Sequence, residues 1–201
     1  MVYERSGINK SSISKEKRTP HNIAVELYSL LDQVKHQEKI ILFAHSQGGL
    51  CALQFCRLYP NLVKGIILLD PLAAKDYEFK DRLTKKEYAK SGVDKSQNFN
   101  IMKTLAKLKL GWITKKLLKN APPFYYYKEY SKEETKDILS CVDSPVHAAT
   151  VLEEYIYAHD LEEIKGLLEK SDFPDIPLVL ITHSYELAIE ENMKLVQVLV
   201  M

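Results

Sequence analysis

The fold of this chain is decided by residues 39–56, which read KIILFAHSQGGLCALQFC. The apolar, β-branched run of residues 39–44 predicts a buried strand, and residues 47–59 predict a helix. Ser46 lies between them, flanked by small residues that let a strand and a helix approach closely. A serine at the apex of such a strand–turn–helix stands clear of the sheet in a strained turn, which presents its hydroxyl as a nucleophile. The stretch therefore predicts nucleophilic chemistry at Ser46.

Strands and helices alternate on either side of this stretch. Thr19-Pro20 predicts the start of a helix, because threonine suits the cap and proline suits the first helical position. Residues 63–69 and 178–181 are two further apolar runs, each with the length of a buried strand. Continuous apolar strands separated by helices are typical of a parallel sheet. The sequence therefore predicts an α/β fold with helices on both faces of the sheet.

A long helical segment separates the second strand from the third. Residues 72–173 contain no convincing strand, and residues 71–140 carry sixteen Lys and Arg against nine Asp and Glu. We interpret this excess as a solvated, lysine-rich surface. The segment predicts a helical lid over residues 72–173, inserted into a core of residues 1–71 and 174–201. The helices predicted in the lid are 84–90, 97–110, 112–118, 131–139, 145–158 and 160–169, and a last helix is predicted over 186–200.

The composition is that of an ordinary single domain. The chain has 201 residues, 46% of them hydrophobic, and a net charge of +1, which favours neither nucleic acid nor an anionic membrane as a partner. No apolar run approaches the ~20 residues of a membrane span, so no stable membrane insertion is expected. Cys51, Cys56 and Cys141 lack metal-ligand spacing and predict free thiols in a reducing cytoplasm. The sequence carries no phosphate-binding loop and no His, Asp and Glu cluster with metal-ligand spacing, so neither a cofactor nor a metal is expected. It indicates no specific protein partner.

Four segments together carry a resemblance to a known family. They are the stretch around Ser46, residues 3–7 (YERSG), residues 19–24 (TPHNIA) and residues 68–71 (LLDP). With them the chain resembles the α/β-hydrolase fold family over residues 1–71 and again over 174–184. The family consensus around the nucleophile is G-x-S-x-G, and Ala44 stands in place of its first glycine. The resemblance implies a partial parallel sheet with helices on both faces and a helical lid insertion.

The resemblance also implies a reaction. Ser46 would attack an acyl carbonyl and pass its proton to a histidine, which an Asp or Glu would orient. The backbone N–H of Gln47 would form half of the oxyanion hole, at a helix N-terminus whose dipole favours negative charge. The implied activity is that of a serine hydrolase of esterase type, acting on a small carboxylic ester or a related acyl substrate. Amidases and peptidases share this machinery, and the sequence does not separate them from an esterase.

The partners of Ser46 leave alternatives open. Asp70, after the second strand, and Glu186, after the third, are equal candidates for the acid. In the family the histidine follows one further strand, so the catalytic histidine is expected to be absent from this chain. Of the six histidines present, His183 alone has a position from which a base could act, and all six suit solvated or structural roles. We therefore expect this chain to be part of a longer hydrolase and to be inactive by itself.

Three further expectations follow from the same residues. His45, Tyr125 and Tyr126 are candidates to line the substrate pocket, although the aromatic run of residues 122–127 suits the internal packing of the lid better. A chain that kept the Ser46 turn without its partners could also be a non-catalytic ligand-binding or interaction protein. Residues 40–43 would lie at an unpaired edge of the sheet, and a long apolar edge is a predicted aggregation site.

Overall fold

Three parallel strands form the sheet of this protein. In the computed structural model, which describes residues 2–72, 74–75, 82–91, 96–119, 130–168 and 173–182, the strands are β1 (Ile40–Ser46), β2 (Val63–Pro71) and β3 (Leu178–Ile181). Their order in the sheet is β1-β2-β3, and both neighbouring pairs are parallel. Phe43 lies opposite Ile67, which in turn lies opposite Val179. The predicted α/β class with a parallel sheet is confirmed.

Helices make up most of the rest of the described chain. They are α1 (Pro20–Gln33), α2 (Gly48–Leu58), α3 (Lys85–Ser91), α4 (Ser96–Lys107), α5 (Gly111–Lys119), α6 (Lys132–Ser140), α7 (Pro145–Ala158) and α8 (Leu161–Leu168), with 3-10 turns at Pro60–Leu62 and Cys141–Asp143. Their ends differ from the predicted ones by at most three residues. None of these helices is long and apolar enough to cross a membrane. The helix predicted over 186–200 lies outside the described residues.

Side-chain caps fix the starts of two helices that matter for the site. The hydroxyl of Thr19 accepts a hydrogen bond from the N–H of Asn22 at 3.1 Å, and Pro20 takes the first helical position of α1. Ser144 accepts in the same way from the N–H of His147 at 3.2 Å and begins α7. Because each cap satisfies an N–H that has no partner within the helix, these starts are determined by local sequence.

The core lies on one face of the sheet, beneath α1 and α2. The alternation of a strand turns Leu42 and Ile66 toward these helices. On the opposite face Ile41, Phe43 and Val179 are 58, 66 and 51% exposed. Among the described residues, α1 and α2 cover the face of the sheet that carries Leu42 and Ile66. The buried side chains of the core are Ala24, Leu31, Ala52, Phe55, Cys56, Val63, Ile66 and Leu68.

The segment predicted to be a lid contacts the core next to the end of β1. Leu50, in the first turn of α2, is fully buried against Ala158 of α7 and Ile164 of α8. Burial of a leucine side chain contributes about 1.5–3 kcal/mol, so this contact attaches the two helices firmly to the start of α2. The division of the chain into a core and a lid stays a prediction.

The exposed strand β1 supports a prediction about solubility. Within the described residues β1 pairs with β2 alone, and Ile41 adds an apolar side chain to this free edge. We expect Ile41→Lys to reduce concentration-dependent association measured by sedimentation velocity, because a charge on an edge strand opposes pairing with another chain. Val34→Lys is the control, since Val34 is 55% exposed but lies at the end of α1. An equal reduction by both variants would contradict a specific role of the edge.

Candidate active site

The turn between β1 and α2 holds Ser46 in an unusual backbone conformation. Its φ is +50°, a region that non-glycine residues rarely adopt. The register of β1 against β2 shifts between His45 and Ser46, and Ser46 lies opposite Pro71. The carbonyl of Ser46 accepts a hydrogen bond from the N–H of Leu72 at 2.9 Å. The strained turn is thus held by the end of β2, and it leaves Ser46 exposed to solvent.

Two glycines follow the turn, and they have different surroundings. A Cβ atom added to Gly49 would lie 2.6 Å from Cβ of Pro71, so only glycine fits between α2 and the end of β2. A Cβ added to Gly48 would meet Cβ of Ala44 at 3.8 Å, an ordinary contact. The alanine at position 44 therefore fits the turn without forcing the strand and helix apart.

Gln47 is the residue that precedes the first turn of α2. It has helical angles, with φ −53° and ψ −30°, and its carbonyl accepts from the N–H of Leu50 at 3.1 Å. The first N–H groups of a helix lack partners within it, and the helix dipole places partial positive charge there. A negative charge that develops next to Ser46 would be stabilised at this position.

A cavity of about 520 Å³ opens beside Ser46. His45, Ser46 and Gln47 form one side of it, and Tyr3 and Arg5 of the N-terminal segment border it as well. No described residue of the segment 72–173 lines this cavity. Of the predicted pocket residues, His45 does line it, while Tyr125 and Tyr126 lie outside the described residues. The other lining residues are Ile23, Ala24, Leu27, Leu42, Phe43, Ala44, Gly48, Cys51 and Ala52.

Two further polar groups of this cavity are held in their neutral forms. Burial raises the pKa of the Tyr3 hydroxyl to about 12 and that of the Cys51 thiol to about 12. Because a thiol attacks only as the thiolate, Cys51 is a poor nucleophile near neutral pH. Cys51, Cys56 and Cys141 are free, as the sequence predicted.

Arg5 connects the cavity to helix α7 through a bidentate ion pair. Its Nε and Nη2 donate to the two carboxylate oxygens of Glu154, at 3.1 and 2.6 Å. Burial opposes the charge of Arg5, but the hydrogen bonds and the charge of Glu154 outweigh it and raise the pKa of Arg5 above its usual value. Glu154 is itself only 2% exposed. The guanidinium group is therefore fixed in position and permanently charged.

A second arginine completes this partly buried charge cluster. Arg18 donates to Glu154 at 3.3 Å and to Glu26 at 2.5 Å, and Glu26 also accepts from the N–H of Ser6 at 2.8 Å. Two guanidinium groups thus balance two carboxylates in the cluster of Arg5, Arg18, Glu26 and Glu154. Sequence reasoning missed it. Residues 3–7 contribute to the family resemblance, but no local pattern in the sequence indicates that Arg5 pairs with a residue 149 positions away.

The candidate partners of Ser46 are only partly within the described residues. Asp70 lies at the end of β2 with φ +41°, one residue before Pro71. Glu186 and His183 lie outside the described residues. Where the chain is described, no hydrogen bond joins Ser46 Oγ to a histidine, and no group of His, Cys, Asp and Glu side chains could hold a metal ion.

The described histidines are engaged elsewhere or remote from the cavity. His147 Nδ1 accepts from the N–H of Asn9 at 3.2 Å, and burial lowers the pKa of His147. His159 Nδ1 lies 2.8 Å from the carbonyl of Tyr155. His21 contacts Gln54 at 3.2 Å, and His36 follows α1. Apart from His45, whose place is fixed by the turn itself, no described histidine lines the cavity.

Comparison with known proteins gives one family. The family model described as alpha/beta hydrolase fold matches residues 2–147. A search of curated proteins gives no significant match.

Solved structures support the same fold at low sequence identity. A candidate acyltransferase from Salmonella enterica is 16% identical, with a TM-score of 0.64 over 88% of this chain and 59% of its own. A candidate epoxide hydrolase from Pseudomonas aeruginosa is 10% identical, with a TM-score of 0.67 over 90% and 62%. A candidate α/β hydrolase from Nostoc sp. PCC 7120 is 18% identical, with a TM-score of 0.62 over 81% and 55%. This chain therefore spans roughly three fifths of the length of these structures, and the likeness concerns the fold alone.

Proposed function

This chain belongs to the α/β-hydrolase fold family, and we propose that it carries the nucleophile of a serine hydrolase, Ser46. The observation that carries this proposal is the strained turn, with φ +50° at Ser46, at the carboxyl end of a parallel strand and at the start of a helix. Ligands of open α/β sheets bind at this end of the strands. The turn exposes the hydroxyl beside a cavity, which is where an acyl group could reach it.

The proposed reaction is acyl transfer to water. Ser46 Oγ forms a bond to the carbonyl carbon while its proton passes to a histidine outside the described residues. The electron pair of the C=O bond moves to oxygen, and the N–H of Gln47 at the start of α2 stabilises that negative charge. The tetrahedral intermediate expels the alcohol, which takes the proton from the histidine. Water then cleaves the acyl-enzyme by the same steps. Asp70 and Glu186 remain the two candidates to orient the histidine.

The cavity supports a small acyl substrate. Its volume of about 520 Å³ suits a small organic molecule rather than a polymer. Ile23, Ala24 and Leu27 give it an apolar wall on the side of α1, and the neutral hydroxyl of Tyr3 supplies a hydrogen-bond donor. An ester or related acyl compound with a short apolar acyl chain fits these features. Three free thiols further support a reducing cytoplasm as the location.

A non-catalytic role is the second candidate. One observation favours it: Ser46 Oγ makes no hydrogen bond to a base within the described residues. A protein that kept the cavity and lost an activated serine would bind a small acyl compound without cleaving it. The inactivity expected for the chain by itself stays a prediction under either role.

Labelling with a fluorophosphonate separates the two candidates. We expect the natural protein, taken from its source cells, to be labelled at Ser46, because the reagent reacts with serines that a base activates. Peptide mass spectrometry would locate the label. Ser46→Ala should abolish it, and Ser29→Ala, on the outer surface of α1, should leave it unchanged. An unlabelled protein that still binds an acyl ligand would contradict the hydrolase and support the binding protein.

A further inference from the structure

A second cleft lies between α5 and α6, in the segment between β2 and β3. Its volume is about 660 Å³, and it shares no lining residue with the cavity beside Ser46. Helix α5 lines it with Trp112, Lys115 and Lys116, and helix α6 lines it with four further side chains. Those of α6 are Lys132, Thr135, Lys136 and Leu139, and Tyr130 precedes them.

The sequence spacing places the basic side chains of both helices toward the cleft. Trp112, Lys115 and Lys116 are three and four residues apart on α5, so they share one face. Lys132 and Lys136 share a face of α6 for the same reason. The acidic residues of α6 at 133 and 137 follow these lysines by one position, about 100° further round the helix. Glu134 accepts a hydrogen bond from the N–H of Ser131 at 2.7 Å. None of these three carboxylates lines the cleft. Two lysine faces therefore converge on one cavity.

The lysines that line the cleft differ in their pairing within the described residues. Lys115 pairs with Asp143, next to α5. Lys132 and Lys136 make no ion pair or hydrogen bond with any residue in the part of the chain that the structure describes. Like charges four residues apart destabilise a helix, so an anion bound between these lysines would relieve a repulsion that the fold otherwise retains.

Aromatic rings complete the chemistry of the cleft. Trp112 is 60% exposed and Tyr130 is 40% exposed. Indole and phenol faces stack on planar rings, and lysine ammonium groups bind phosphate as point charges. The volume lies within the range of clefts that enclose a small organic ligand. We propose that the cleft between α5 and α6 binds a nucleotide, with Lys132 and Lys136 on its phosphates and Trp112 against its base.

The fluorescence of Trp112 provides a direct test, because it is the chain's only tryptophan. ATP is added to the purified 201-residue chain, without divalent cations, and fluorescence is excited beyond the absorption of adenine. We expect saturable quenching, with weaker binding of tripolyphosphate, which lacks the base, and of adenosine, which lacks the phosphates. Equal affinity for ATP and tripolyphosphate, or for ATP and adenosine, would overturn the assignment to a nucleotide.

Charge-reversed variants locate the binding. The double change Lys132→Glu with Lys136→Glu should weaken ATP binding by at least about tenfold, because each lysine supplies a charged hydrogen bond. Lys10→Glu with Lys15→Glu changes the net charge equally on exposed residues of the N-terminal segment, and it should have less than about a twofold effect. Calorimetry of Trp112→Ala provides a second readout that needs no tryptophan, and we expect weakened binding. Equal losses in both double variants, or an unchanged affinity of Trp112→Ala, would overturn the proposal.

Discussion

Glu154→Ala is expected to lower the free energy of unfolding by about 3–5 kcal/mol. Glu154 receives hydrogen bonds from both Arg5 and Arg18, and it is 2% exposed. Its removal would leave two guanidinium groups close together, with Glu26 as the one remaining carboxylate of the cluster. A buried charge without its partner has lost its hydration, and no hydrogen bond or opposite charge compensates for that loss. Urea unfolding followed by circular dichroism measures the loss.

A double variant separates an uncompensated charge from lost packing. Arg5→Met together with Glu154→Met removes one positive and one negative charge, and it leaves the Arg18–Glu26 pair intact. We expect this double variant to lose less stability than Glu154→Ala, since replacing a buried ion pair with apolar side chains is often nearly neutral.

Glu153→Ala is the control for the general cost of an α7 substitution. Glu153 accepts one hydrogen bond, from the N–H of Arg18 at 3.2 Å, so a loss of about 1 kcal/mol is expected. A loss in Glu154→Ala no larger than this would contradict the role assigned to the cluster.

The charge cluster also joins two parts of the molecule that matter for function. Arg5 borders the cavity beside Ser46, while Glu154 belongs to α7, in the segment predicted to be a lid. A shift of α7 would therefore move or release a fixed positive charge at the cavity. Movement of the predicted lid would therefore change the charge at the site, although no described residue of the lid lines the cavity.

Local features of the fold could be predicted from the sequence. Both ends of α7 are those predicted, and its start is defined by Ser144 and Pro145. Strand β1 was expected to end at residue 44 but continues to Ser46, because its pairing with β2 extends to Pro71. Pairing between strands depends on distant residues, and the apolar run alone does not reveal where it stops.

Features built from distant residues could not be predicted. The Ser46 turn was evident because its strand, turn and helix are contiguous in sequence. Arg5 and Glu154 are 149 positions apart, and each by itself is typical of an exposed charged residue. In the sequence, the two lysine faces of the cleft appear only as an excess of positive charge. The packing of α5 beside α6 is what brings them together.

Gly49→Ala should destabilise the protein by about 1–3 kcal/mol. The added methyl group would lie 2.6 Å from Cβ and 3.4 Å from Cα of Pro71. A proline ring cannot swing aside as a long side chain can, so α2 must move away from the end of β2. That movement would displace the N–H of Gln47 from Ser46 and should also slow any fluorophosphonate labelling of Ser46.

The neighbouring glycine is the matched control for this substitution. Gly48→Ala adds the same methyl group in the same turn of helix, but with ordinary contact to Ala44 at 3.8 Å. Alanine is favoured over glycine within a helix by up to about 1 kcal/mol, so this variant should be neutral or slightly more stable. Urea unfolding of both variants measures the difference in their free energies of unfolding, when that free energy falls with urea concentration at the same slope in both. Equal losses would show that the helix start tolerates no methyl group anywhere, whereas a loss confined to Gly49→Ala places the constraint at Pro71, where the end of β2 holds the Ser46 turn.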